Sequence, residues 1–340
     1  MLEHGGRLRR AAERYRIPLA DWLDLSTGIS PFGWPPPALP AEVWQRLPED
    51  DDGLVEVARD YYGAPHLLPV AGSQAAIQAL PRLRAPGRVG VIAPGYAEHA
   101  QAWRRAGHEV ERLPAAQLFE TAERLDVVVL IHPNNPGAER FQRGDLLGLH
   151  ARLASRGGWL VVDEAFIDAT PERSLCGDSD REGLVVLRSI GKFFGLAGAR
   201  AGFACASAGL LDALRERLGP WALSGPTRHV LMQALADRDW QAAARTRLIW
   251  AGTQLGESLD RCGLSEGAGC AYFQWRRHPQ ATRLHDALAR RGILVRCFDS
   301  DEATPPSLRF GLPADAAARQ RLERGLHEAL SEMSGREVAG

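Results

Sequence analysis

Lysine is almost absent from this sequence. Its 41 basic residues include a single lysine, Lys192, and all the others are arginine. Long apolar runs are absent as well. No stretch approaches the ~18 consecutive apolar residues of a membrane-spanning helix. The opening MLEHGGRLRRAAERY has no apolar core of the kind a secretory signal carries. An excess of one charge is also lacking, because 42 acidic residues balance the basic ones to a net −1. That balance gives no electrostatic case for nucleic acid or an acidic membrane surface. The five cysteines contain no C-x-x-C pair. An odd, scattered set fits free thiols in a reducing compartment, not a disulfide framework or a zinc site. The expectation is a soluble cytoplasmic protein with no metal, nucleic-acid or membrane partner.

What is present is a core: 45% of 340 residues are hydrophobic, enough for about two domains. From about residue 53 to 206, apolar runs alternate with amphipathic ones. RVGVIAP (88–94), EVERLP (109–114), DVVVLIHP (126–133), WLVVDEA (159–165), LVVLRSI (184–190) and AGFACA (201–206) read as strands, most of them buried on both faces. LVEVARDYYG (54–63), SQAAIQALPRL (73–83), EHAQAWRRAG (98–107) and LLGLHARLASRGG (146–158) read as helices. This alternation predicts an α/β domain with a mostly parallel sheet over residues 40–245. The C-terminal third has another character. One long helical pattern covers 226–260, followed by strands at 271–276, 293–298 and 307–313 and helices at 281–292 and through about 331. Residues 246–340, joined by the Pro-rich first 39, are expected to form a smaller α+β domain.

Ligands of open α/β sheets bind beyond the carboxyl ends of the strands. Three polar stretches fall there. HPNNPG (132–137) follows DVVVLI, and as a turn it needs no further role. VVDEAF (161–166) ends a strand in Asp163, a helix cap, an ion partner, or a carboxylate for a buried cationic ring nitrogen. SIGKFFGLAGARAG (189–202) carries Ser189, Lys192 and Arg200. Arginine stays protonated, whereas a lysine amine can lose its proton and condense with an aldehyde. Keeping one lysine in a chain that otherwise uses arginine is what Schiff-base chemistry requires. Pyridoxal phosphate (PLP) needs such a lysine, a carboxylate for its ring nitrogen and a phosphate cup. Lys192 and Asp163 supply the first two. Backbone N–H groups of Ser73 and Gln74 at a helix start, with Ser189 and Arg200, supply the third. Asn135 reaches the ring's phenolic oxygen and Tyr96 stacks on its face.

The order of these parts, G-S-Q, P-G-Y, N-N-P, D-E-A-F and S-x-x-K with an arginine eight residues on, resembles the fold-type-I PLP enzymes, and within them the histidinol-phosphate aminotransferase branch. The resemblance implies a PLP-dependent transferase fold. Its large domain has a mixed, mostly parallel seven-stranded sheet, beside a smaller α+β domain, in a homodimer. Within the branch, the HGG at 4–6, the loop DLSTGISPFGWP (24–35), Phe166 in place of the usual tyrosine, and ILVRC and SLRFG at 293–297 and 307–311 are similar to the L-threonine-O-3-phosphate decarboxylases of cobalamin biosynthesis. By that likeness His4, Gly5 and Arg296 take the substrate phosphate, Arg309 takes its α-carboxylate, and Gly28 and Asn135 line the substrate. Two departures stand out. Leu47 replaces a tyrosine that reaches the neighbouring subunit's cofactor phosphate, and Gly137 replaces a threonine.

The implied reaction is decarboxylation of L-threonine O-3-phosphate to (R)-1-amino-2-propanol O-2-phosphate, with Lys192 and Asp163 as catalytic residues. Transamination of histidinol phosphate or an aromatic amino acid stands as the alternative, and a non-catalytic PLP-fold binding protein as a third.

Overall fold

The computed structural model describes residues 5–299 and 304–337. The chain forms two compact units. One comprises residues 33–135 and 139–246, the other residues 1–32, 136–138 and 247–340. Residues 33–39, which the sequence assigns to the smaller domain, group with the larger unit. The indole of Trp34 donates to Asp237 Oδ2 at 2.9 Å there.

In chain order the strands are β1 (Leu23–Leu25), β2 (Leu68–Val70), β3 (Arg88–Ile92), β4 (Glu109–Leu113), β5 (Val127–Ile131), β6 (Trp159–Asp163), β7 (Leu184–Ser189), β8 (Gly202–Cys205), β9 (Gly267–Cys270), β10 (Phe273–Arg277), β11 (Ile293–Phe298) and β12 (Ser307–Gly311). The larger unit holds a seven-stranded sheet in the order β2-β8-β7-β6-β5-β3-β4. The strands from β7 through β4 pair in parallel, whereas β8 runs antiparallel to both its neighbours. Its centre is fully buried: every residue of β5 is closed to solvent, as the Val-Val-Val-Leu-Ile run requires of a strand covered on both faces. Helices Ser73–Ala79, Ala97–Arg105 and Ala208–Leu218 lay Ala76, Ile77, Trp103 and Leu214 on the sheet.

Three strands lie outside the sequence reading, each for a local reason. β2 is three residues long and carries Pro69. It sits at the sheet edge, where a residue without an N–H is tolerated. β9 reads Gly-Ala-Gly-Cys, and its glycines weaken any strand signal. β1 lies within the loop-like first 39 residues, yet pairs in parallel with β11. One expectation is corrected. The helical pattern over 226–260 is two helices, Gly225–Ala236 and Arg238–Arg261. Asp237 leaves helical geometry at ψ 79, and its Oδ1 accepts from Trp240 N, capping the second helix.

The smaller unit holds a five-stranded sheet, β1-β11-β12-β10-β9, antiparallel except for the β1–β11 pair. Helices Ala281–Arg290 and Ala316–Glu337 accompany it. No helix among the described residues is long and apolar enough to cross a membrane.

Candidate active site

Chain direction in the parallel sheet brings the ends of β5, β6 and β7 to one edge, and the three polar stretches leave from there. β6 ends on Asp163. Beyond β7, Ser189 caps a one-turn helix, Ile190–Phe193, by accepting from Gly191 N at 3.3 Å. Lys192 is the third residue of that turn. A cavity of about 140 Å³ in the larger unit is lined by Ser73, Gln74, Tyr96, Asn135, Asp163, Ser189, Lys192 and Arg200, with Gly72, Ile131, Ala165 and Phe166. All eight cofactor-side residues named from sequence therefore border one cavity.

Each is held by its neighbours. Lys192 Nζ lies 5.5 Å from the centroid of the buried Phe166 ring, within cation–π range. The two asparagines of the N-N-P turn divide the work. Asn134 is fully buried: its amide donates to Pro94 O at 2.8 Å and Glu139 Oε2 at 2.6 Å, and its Oδ1 accepts from Asn135 N at 2.8 Å. That fixed loop presents Asn135 to the cavity. Tyr96 OH donates to Gln74 Oε1 at 3.2 Å, and Gln74 Nε2 donates to Glu98. Burial, with the charges of Glu98 and Asp163, pushes the Tyr96 phenol up to about 12, so it stays protonated and able to donate.

The helix Ser73–Ala79 begins at the cavity wall, and the N–H groups of a helix's first turn have no intrahelical acceptor. Gly72, just before it, has φ +72 and ψ 155, a combination open essentially to glycine. A Cβ there would stand 2.9 Å from Arg200 Nη2, so the missing side chain is what lets the guanidinium lie against the helix entrance. Together these residues offer hydroxyl, backbone N–H and guanidinium donors suited to a phosphate.

Sequence reasoning missed His99. Its Nε2 lies 2.9 Å from Asp163 Oδ2, and both side chains are buried. An ionised carboxylate only accepts, so the imidazole donates. Asp163 Oδ1 accepts in addition from Ala165 N at 3.1 Å. The available signal was position: His99 falls one helical turn beyond Tyr96, whose ring it meets edge to face at 6.1 Å. Also missed was a charge cluster around the D-E-A-F-I-D segment. Arg188, buried in β7, pairs with Glu164 Oε2 at 2.8 Å and Asp168 Oδ1 at 2.6 Å. Tyr61 OH donates to Asp168, and Ser174 Oγ to Glu164. Burial pushes the Glu164 carboxyl up, and Arg188 opposes it.

Of the residues that the resemblance assigns to the substrate, Gly5, Gly28, Arg296 and Arg309 belong to the smaller unit and Asn135 to the larger. Gly5 and Arg296 line a cavity of about 250 Å³ in the smaller unit. Arg309 is buried on β12, donates to Ser26 O at 2.9 Å, and faces Arg296 across the β11–β12 ladder. Burial, and then the charge of Arg296, pull the Arg309 guanidinium down to about 10. Gly28 is buried in the segment after β1. His4 lies outside the described residues. Leu47, at the position of the absent tyrosine, is exposed.

Known proteins bear on this arrangement. Residues 38–324 match the model of the family described as aminotransferase class I and II. The chain is 57% identical over 326 residues to a threonine-phosphate decarboxylase of Pseudomonas aeruginosa, covering 96% of this chain and 97% of that one. It is 41% identical to a threonine-phosphate decarboxylase of a Sinorhizobium species, over 95% and 97% of the two chains. Histidinol-phosphate aminotransferase from Sinorhizobium meliloti, in complex with pyridoxal-5'-phosphate, superposes with a TM-score of 0.81 at 18% identity, covering 98% of this chain and 96% of that one. With a family match across most of its length and such relatives, this chain belongs to the class I and II aminotransferase family.

Proposed function

We propose that this protein is a PLP-dependent decarboxylase that converts L-threonine O-3-phosphate to (R)-1-amino-2-propanol O-2-phosphate, a step toward cobalamin. The observation that carries the reading is the nearly full-length, 57% identity to a curated threonine-phosphate decarboxylase. The residues of the larger unit fit the cofactor. The sole lysine, a buried carboxylate and a donor-lined cradle that a Cβ at Gly72 would fill all border the same cavity. When bound, PLP supplies an electron sink for the pair released at Cα.

The chain's own residues then have defined tasks. Lys192 would hold the cofactor, and its Nζ would carry a proton to Cα of the substrate. Asp163, oriented by His99, would hold the proton on the cofactor's ring nitrogen. Ser189, Arg200 and the N–H groups of Ser73 and Gln74 hold the cofactor's phosphate, Asn135 its phenolic oxygen, and Tyr96 its ring face. Arg309 holds the substrate carboxylate, and Arg296, with His4 and Gly5, its phosphate. Gripping the substrate's phosphate and its carboxylate at separate residues would fix its orientation and so favour loss of CO₂. The working form is a homodimer in the cytoplasm, a reading that rests on the family likeness and the scattered thiols.

The test is incubation of the purified protein with threonine phosphate. CO₂ and aminopropanol phosphate are the expected products. Steady turnover with 2-oxoglutarate and no CO₂ would instead establish transamination.

A further inference from the structure

Arg188 is buried in β7, the strand that runs straight into the turn of Lys192. Its guanidinium forks. Nη1 donates to Glu164 Oε2 at 2.8 Å, and Nη2 donates to Asp168 Oδ1 at 2.6 Å. The two carboxylates flank Phe166, two residues to either side, so one cation pins both ends of the loop that carries this ring. The loop also starts beside Arg188, because Glu164 N donates to Leu187 O at 2.9 Å. The guanidinium carbon stands 4.6 Å from the centroid of the Tyr62 ring, which sets its plane. The far end of the loop is tied to the lysine turn a second time. Arg245 Nε donates to Asp168 O at 2.9 Å, and its guanidinium stands 5.5 Å from the centroid of Phe193, the residue after Lys192. Tyr61 OH donates to Asp168 Oδ1 at 2.8 Å, and its ring meets Phe194 edge to face at 5.6 Å.

Stability alone does not account for this cluster. Burying an ion network is costly, and apolar side chains of similar volume often hold a fold as well or better. Here two carboxylates face one guanidinium, and burial pushes the Glu164 carboxyl up. Arg188 Nε and Asp168 Oδ2 find no hydrogen-bond partner among the described residues. What the fork does supply is geometry. We infer that Arg188 is a positioning residue, which fixes the Phe166 ring against Lys192 by holding Glu164 and Asp168 together. The ring centroid lies 5.5 Å from Lys192 Nζ, and both residues border the cavity of about 140 Å³. Arg188 is not in that lining, so it acts through Phe166. The inference rests on the reading of Lys192 as the reactive amine.

The sole lysine makes the test direct. Isotope-labelled lysine gives the full chain a single NMR signal for the Lys192 Cε methylene. In the protein without cofactor, the Phe166 ring current shifts that signal, and Phe166→Leu marks its position without the ring. Arg188→Gln is expected to move the signal toward the Phe166→Leu position. Tyr61→Phe keeps its ring and loses one donor to Asp168, so it should move the signal the same way by less. It decides the matter if Arg188→Gln does not fold. With PLP bound, Arg188→Gln is expected to lower kcat on threonine phosphate by about 10²-fold, the cost of a displaced reacting group. KM should stay unchanged, because Arg296 and Arg309 are on β11 and β12. A folded Arg188→Gln with its lysine signal at the wild-type position overturns the inference, whatever its melting temperature. With Arg188→Gln unfolded, an unmoved signal in Tyr61→Phe does the same. A raised KM with kcat intact also overturns it. The lysine signal needs no turnover, so it reads the positioning even if the chain proves not to decarboxylate threonine phosphate.

Discussion

His99 Nε2 donates to Asp163 Oδ2 across 2.9 Å in a place nearly closed to solvent, with side-chain exposures of 1% and 5%. A buried carboxylate must be satisfied to remain ionised. Replacing His99 with alanine removes the donor at Asp163 Oδ2 and leaves the N–H of Ala165 at Oδ1. The expected result is weaker PLP binding, measured by fluorescence titration, and a loss of about 1–3 kcal/mol of stability in urea unfolding. His99→Gln, which restores a donor, should recover part of both. A cofactor affinity untouched by His99→Ala would show that the imidazole only fills space.

Lys192→Ala should abolish the visible absorbance of bound cofactor and lower turnover by at least about 10²- to 10⁴-fold, the range of a positioned acid–base group. Lys192→Arg should fail equally, because a guanidinium keeps its charge but does not give up its proton. Rescue by arginine in a stopped CO₂ assay would reduce Lys192 to a point charge.

Gly72→Ala places a side chain at φ +72, ψ 155 and against Arg200 Nη2. The backbone cost is about 1–3 kcal/mol. The guanidinium must also move from the helix entrance. Melting temperature should therefore fall, and the PLP dissociation constant should rise. Stability lost with cofactor affinity intact would detach Arg200 from the phosphate cradle.

These positions differ in how openly the sequence displayed them. Lys192 is unique in the chain, and Asp163 ends an unbroken apolar run, so composition and periodicity point straight at both. The ends of β5, β6 and β7 converge because their strands are parallel, as the alternation of strands with helices implies, which made the core of the larger sheet readable. His99 was hidden because a histidine in an amphipathic helix has the same pattern as a packed one, and its partner lies 64 residues away. Arg188 was hidden among forty arginines, although its place inside an apolar strand marks it as buried and therefore paired. The break at Asp237 was invisible because an aspartate in a polar helical pattern looks solvated, while here it accepts from both Trp34 and Trp240.

Acid should destabilise the protein through His132. Burial first, then the charges of Arg173 and Arg140, bring this imidazole from 6.5 down to about 4. A base whose folded pKa is depressed binds fewer protons folded than unfolded between the two values. Its contribution is therefore complete above pH 6.5 and is lost as pH falls toward about 4. The loss amounts to about 3 kcal/mol. His132 Nδ1 accepts from Phe141 N, so His132→Gln keeps an acceptor without the titration. Urea midpoints measured between pH 7 and 4.5 should fall more steeply for the wild type than for the variant. Parallel curves would move the acid sensitivity elsewhere.

Arg296 and Arg309 stand directly opposite each other on β11 and β12, which puts two cations on one face of the smaller sheet. Like charges so placed destabilise by up to about 1 kcal/mol, and the Arg309 value, lowered first by burial, is lowered further by the same repulsion. A fold selected for stability alone has no use for the arrangement. A site that must hold a molecule with both a carboxylate and a phosphate does. Arg296→Gln should therefore act in opposite directions on two measurements. Without ligand, the urea midpoint should rise, because Arg309 loses a like-charged neighbour. With threonine phosphate, KM should rise by about tenfold or more, the worth of a charge-assisted contact. Arg309→Gln is the control on the same ladder, expected to raise KM as well. It also gives up the hydrogen bond to Ser26 O, so its urea midpoint should not climb as far. A midpoint that falls in Arg296→Gln would mean that the two guanidiniums already have their charge answered within the protein, and the substrate would need another explanation for its grip.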